Sequence, residues 1–118
     1  MIYFLIGVGA FFGAISRFLL SSSLEKIMFL GFPLGTTTVN LIGCFLMGIF
    51  LAINFSNKEL LSPLIIIGFL GSFTTFSAFT KEVLLFSSSN GIFVAYFSAL
   101  IITSICLLST FIGYKMFS

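Results

Sequence analysis

The chain has 118 residues, 59% hydrophobic and 7% charged, with a net charge of +2 and a mean hydropathy of +1.29, whereas soluble domains carry about 25% charged residues. This excludes a water-soluble domain, and five cations scattered along the chain exclude a basic surface for nucleic acid. There is no histidine or aspartate and the acids are Glu25, Glu59 and Glu82; catalytic triads, His-based proton transfer and paired carboxylates are excluded too, so an enzyme is not expected.

At roughly 20 apolar residues per crossing, residues 1–118 form one domain with room for about four transmembrane helices. An all-α multi-pass membrane protein, inserted in the cell inner (plasma) membrane, is the expectation. The chain opens apolar, without a basic n-region or cleavage site, so removal of a signal peptide is not expected.

The first helix is predicted over Ile2–Leu20, with Arg17 as its one charge. Gly9, Gly13 and Arg17 recur every fourth residue, so one face is a stripe on which another helix can approach closely. "SSSLEK" (Ser21 to Lys26) reads as a loop, and "MFLGFPLGTTT", with Gly31, Pro33 and Gly35, as an irregular or interfacial lead-in. The second helix is predicted over Thr37–Asn54 and carries the lone amide Asn40. "SNKELLSP" is the second loop, with Pro63 suited to the first turn of a third helix over Leu61–Phe86. "SSSNG" (Ser87 to Gly91) reads as a turn, and a fourth helix follows over Ile92–Phe117, with Tyr96, Ser98 and Thr103 among its polar residues. Cys44 and Cys106 lie inside apolar runs and read as small buried hydrophobes, not as a disulfide or a metal pair.

The third helix contains "GSFTTFSAF" (Gly71 to Phe79). Gly71 and Ser72 give flexibility, and Thr74 and Thr75 can bond their own backbone, which predicts a local break. A break at membrane depth must be buried in protein or line a cavity. Asn40 brings two donors and an acceptor that all need partners, and polar groups at this depth face the protein interior or a water-filled path.

With the amino end placed inside, Lys58 and Lys115 oppose Lys26, Lys81 and Arg17. So even a count gives almost no orientation instruction under the positive-inside rule. Two readings stay open: insertion in both directions, with antiparallel pairing of two copies, or a single orientation carrying a weak charge bias.

Three stretches together resemble the bacterial fluoride channels of the Fluc or CrcB family: "GVGAFFGAISRF" (Gly7 to Phe18), "PLGTTTVNLIGCFLMG" (Pro33 to Gly48) and "GFLGSFTTFSAFTKE" (Gly68 to Glu82). Order and spacing agree through the first three helices, while the fourth is similar only in length and polarity. The resemblance implies a passive, fluoride-selective channel built as an antiparallel, dual-topology homodimer in the lipid bilayer, with two pores. It implies a structural Na+ held by the backbone carbonyls of Gly71 and Thr74 where broken third helices cross. It implies that the ring edges of Phe76 and Phe79 face fluoride and that Asn40 donates to it. Thr75, Ser77, Tyr96, Ser98 and Thr103 are candidates for the polar lining, and Arg17 and Glu82 match polar positions near helix ends.

The chain departs from the family pattern at Phe18, usually Tyr, at Ser72, where a second Gly is common, and at Ala78, usually Thr. The hydroxyl missing at Ala78 would weaken the polar track, or mark this chain as one half of a heterodimer with a paralogue. Two rival readings are a small dual-topology multidrug or cation exporter and a non-transporting membrane assembly protein. The exporter needs an acidic residue in its first helix, where this chain has Arg17.

Overall fold

The computed structural model describes residues 1–118. Its order is α1 (Ile2–Ser23), a hairpin of β1 (Met28–Phe29) and β2 (Phe32–Pro33), α2 (Gly35–Ala52), a broken third crossing between Lys58 and Asn90, and α6 (Ile92–Phe117). The third crossing consists of α3 (Lys58–Leu61), a π-helical run (Ser62–Leu70), α4 (Gly71–Phe73) and α5 (Ser77–Asn90). Four crossings are thus long and apolar enough to span a bilayer, and the protein is an all-α multi-pass membrane protein with one two-stranded hairpin added. The exposed apolar side chains along every helix, Phe11, Phe12, Leu84, Phe97 and Ile101 among them, suit a hydrocarbon surround.

The C-terminal ends of α1 and α5 run into the predicted loops, and serine hydroxyls there bond back to helix carbonyls. Ser21 Oγ donates to Phe18 O at 3.3 Å and Ser23 Oγ to Leu19 O at 2.7 Å, so α1 extends through "SSS". Ser87 Oγ and Ser88 Oγ donate to Leu84 O and Leu85 O at 2.6 and 2.7 Å, and α5 ends only at Asn90, before Gly91 with φ 89°. The first part of the predicted irregular lead-in is ordered as the hairpin, with Phe29 opposite Phe32 and Met28 opposite Pro33, while Gly35 to Thr38 already form the first turn of α2, which runs Gly35–Ala52 and not Thr37–Asn54. Its two-residue loop, Leu30 (φ 53°) and Gly31 (φ 85°), has both residues in the left-handed region, as the turn that matches strand twist requires.

Packing rests on backbones brought close by glycine. Gly9 and Gly13 are the buried residues of α1. A Cβ on Gly9 would run into Leu64 O and one on Gly13 into Phe69 O, so the predicted stripe is the seat of the third crossing. On the other side, α2 packs along α6. A Cβ on Gly48 would strike Thr110 O, one on Gly113 would strike Phe45 O, and Ser109 Oγ donates to Leu41 O at 3.1 Å. Gly48→Ala is therefore expected to destabilise the fold by about 1–3 kcal/mol through overpacking. Gly7→Ala, with nothing within 4 Å of the added carbon, should be silent. Resistance to unfolding by SDS measures both.

The π-helical run has Pro63, which has no N–H to donate, in its first turn. It closes with Gly71 N–H donating to Ile66 O, one residue wider than an α-turn. The run keeps Leu64 O and Phe69 against α1 and delivers the chain to the break.

Candidate functional site

The break lies at the far end of the predicted stretch, Gly71 to Thr74. Gly71 and Ser72 are helical, and the chain leaves the helix at Thr74, which is extended at φ −77° and ψ 147°. Ser72 stays helical because its hydroxyl donates to Ala10 O at 2.9 Å and sits 3.2 Å from Phe69 O, tying the third crossing to α1. Arg17 Nε donates to the Ser72 carbonyl at 3.2 Å. Ser72 is thus a bridge between two helices, held on its backbone side by Arg17.

Asn40 organises the break. Its Nδ2 donates to Thr75 O at 2.8 Å and its Oδ1 accepts from Thr75 N–H at 2.7 Å, so one carboxamide takes both polar groups of Thr75's backbone. Asn40 reaches that far because Gly43, one turn later on α2, leaves room for Thr74; a Cβ there would strike Thr74 Cγ2. Thr75 Oγ1 accepts from Ala78 N–H at 3.2 Å, satisfying an orphan donor at the start of α5, and lies 3.3 Å from Ser77 Oγ. Asn40 keeps one N–H beyond the bond to Thr75.

A cavity of about 210 Å³ opens at this point. Asn40 and Cys44 line it from α2, Thr74, Thr75, Phe76 and Phe79 from the break and α5, and Ile102, Thr103 and Cys106 from α6. The rings of Phe76 and Phe79 are 6.1 Å apart and tilted by 46°. Phe79 is buried and packs against Phe32 of the hairpin, with ring centres 6.5 Å apart, whereas Phe76 is 72% exposed. The structure therefore brings Asn40, Thr75, Phe76, Phe79 and Thr103 to one cavity. Ser77 is exposed beside it.

Tyr96 and Ser98 stand elsewhere. Ser98 is five residues before Thr103, roughly 140° round the helix; its hydroxyl donates to Val94 O at 2.8 Å, and it faces a groove with Phe29 and Phe86. Tyr96 is on Thr103's face but two turns away, about 10 Å, and lines a groove with Thr80 and Leu84. Ala78 is outside the cavity lining. Sequence reasoning missed the two cysteines and Ile102. A helical spacing signal existed, since Cys44 follows Asn40 by four residues and Cys106 follows Thr103 by three.

Glu82 accepts a hydrogen bond from Thr36 Oγ1 at 2.6 Å, linking the start of α2 to α5, while its second oxygen is buried without a donor. Thr36→Val removes the carboxyl's donor and is expected to cost about 1–3 kcal/mol, read from unfolding. Thr36→Ser should restore most of it.

The break also frees backbone oxygens. Thr75 N–H turns to Asn40 and not to Gly71 O, and no other turn or side-chain hydrogen bond ends on the carbonyls of Gly71 or Thr74. Gly71 is exposed. No cluster of three or more His, Cys, Asp or Glu is present.

Residues 4–114 match the family described as CrcB-like protein, Camphor Resistance (CrcB). The chain is 44% identical over 118 residues to a fluoride-specific ion channel FluC of Campylobacter lari, covering 95% of this chain and 93% of the relative. It is 38% identical over 117 residues to one of Nitratiruptor sp., covering 98% and 91%. It is 35% identical over 112 residues to one of Magnetococcus marinus, covering 92% and 90%.

Proposed function

As the chain belongs to the CrcB-like family, whose relatives include proteins named fluoride-specific ion channels, we propose that it is a passive fluoride channel of the cell inner membrane, not an enzyme. The observation that carries this reading is the single cavity, at a helix break, into which Asn40, Thr75, Phe76, Phe79 and Thr103 converge. Fluoride is small and strongly hydrated, so a path must offer donors in place of water yet release the ion. The free N–H of Asn40, the hydroxyls of Thr75 and Thr103 and the positive ring edges of Phe76 and Phe79 supply donors without a fixed cation to trap it. No lysine or arginine lines the cavity.

The working unit is two copies of the chain. Carbonyls without donors at Gly71 and Thr74 are costly in hydrocarbon and are tolerated only against protein or a water-filled cavity. The weak charge bias leaves insertion both ways open, and an antiparallel homodimer in the lipid bilayer would then place two such breaks face to face and complete two pores. A partner paralogue would serve the same geometry.

The Gly71 and Thr74 carbonyls fit a hard monovalent cation, and Na+ held by both copies would supply positive charge that fixes the crossing of the two breaks. The dimer is expected to lose stability when Na+ is replaced by a large organic cation, read as its dissociation in detergent. An unchanged dimer would remove the ion from the account. The function itself is tested in a bacterial strain made fluoride-sensitive by loss of its own exporter. Expression of the chain should restore growth in millimolar fluoride, and growth no better than an empty vector would count against it.

A further inference from the structure

Cys44 and Cys106 have no part in the path for fluoride described above. Both thiols are free and half-buried, and both line the same cavity from different helices. Cys44 stands one turn beyond Asn40 on α2, and Cys106 one turn beyond Thr103 on α6. The glycine contacts of Gly48 and Gly113 and the bond from Ser109 to Leu41 hold these two helices in register. Gly48 and Thr110, which meet across the two helices, each follow one of these cysteines by four residues, so Cys44 and Cys106 stand at one level a turn earlier. The pair is therefore held together at the cavity wall, unlike two cysteines scattered among apolar side chains.

No histidine, aspartate or glutamate joins them. Two sulfur ligands without a third group suit a soft cation that accepts two-coordinate, near-linear ligation, such as Hg2+, Ag+ or Cu+, and suit poorly Zn2+, which takes four ligands. We propose that Cys44 and Cys106 form a two-thiolate site for a soft, linearly coordinating cation in the wall of the cavity. On binding, two S–H bonds break and two metal–sulfur bonds form. Two protons pass to water, and neither sulfur nor metal changes oxidation state. A cation bridging α2 and α6 there fills part of the cavity one turn from Asn40 and Thr103, so the site is inhibitory.

The site stands on the thiol geometry alone; only its effect on flux rests on the proposed function. The probe is mercuric chloride, added below one equivalent per chain to the purified full-length protein, with remaining thiols counted after denaturation by an aromatic disulfide. Two thiols should disappear per mercury bound, with the chain still migrating as a monomer on a denaturing, non-reducing gel. Cys44→Ser and Cys106→Ser should each lose one thiol per mercury and surrender the metal to lower concentrations of a competing monothiol than the unmodified protein. One thiol lost per mercury in the unmodified protein, bridging between chains, or equal release from all three proteins would overturn the site. In liposomes, one mercury per chain should bring fluoride efflux to the level of protein-free vesicles, reversed by a dithiol. Two thiols lost with efflux unchanged would leave the metal site standing and put the cavity off the ion's route.

Discussion

Asn40→Ala is expected to abolish fluoride flux and to destabilise the protein by about 2 kcal/mol. The estimate follows from two hydrogen bonds, at 2.8 and 2.7 Å, that close on the backbone of Thr75. Each is worth about 1 kcal/mol net at membrane depth. The flux effect is larger than the stability effect because the same side chain does two things: it holds the break open and leaves one N–H for the ion. Asn40→Asp separates these roles. It keeps an acceptor for Thr75 N–H but loses the donor to Thr75 O, and it brings negative charge to a cavity proposed to pass an anion. Flux should vanish there while the dimer persists. Efflux at the unmodified rate in Asn40→Ala would mean that the amide neither shapes the break nor meets the ion. Flux in liposomes and SDS resistance are the two measurements.

Phe76→Ile and Phe79→Ile are each expected to remove flux, with different effects on stability. Phe76 is 72% exposed, so its replacement should alter stability by no more than about 0.5 kcal/mol. Phe79 is buried against Phe32 and beside Phe76, and its loss should cost about 1 kcal/mol. Phe76→Ile is thus the cleaner probe: flux lost without stability lost assigns the effect to the aromatic edge, since isoleucine keeps an apolar side chain but has no ring quadrupole. Normal efflux in both variants would reduce the two rings to packing.

Much of this was legible because it is local. The glycine stripe on the first helix shows as a four-residue repeat, and its partner need only be another helix. Asn40 stands out as the one amide inside the second apolar run, which Asn54 closes. The existence of a break followed from Gly71, Ser72, Thr74 and Thr75, but its position did not. Propensity spread it over Gly71 to Thr74, of which only Thr74 leaves the helix, because Ala10 on α1 takes up the Ser72 hydroxyl and Asn40 on α2 takes the N–H of Thr75. Those two contacts span 62 and 35 residues, and no local rule contains them. At the ends of α1 and α5 the serine turn signals stop the helix too early, since the same hydroxyls can sit on helix carbonyls while the backbone stays helical. The cysteine pair needed the register of α2 on α6, which the glycine contacts set only once the helices are assembled.

The central claim is that this chain passes fluoride and excludes chloride, and one recording tests it most directly. Purified protein in liposomes loaded with equal fluoride and chloride is followed with an electrode for each ion while a potassium ionophore carries the compensating charge. Rapid fluoride release with chloride retained is the predicted result; no fluoride release, or chloride leaving alongside it at the same rate, would contradict the account.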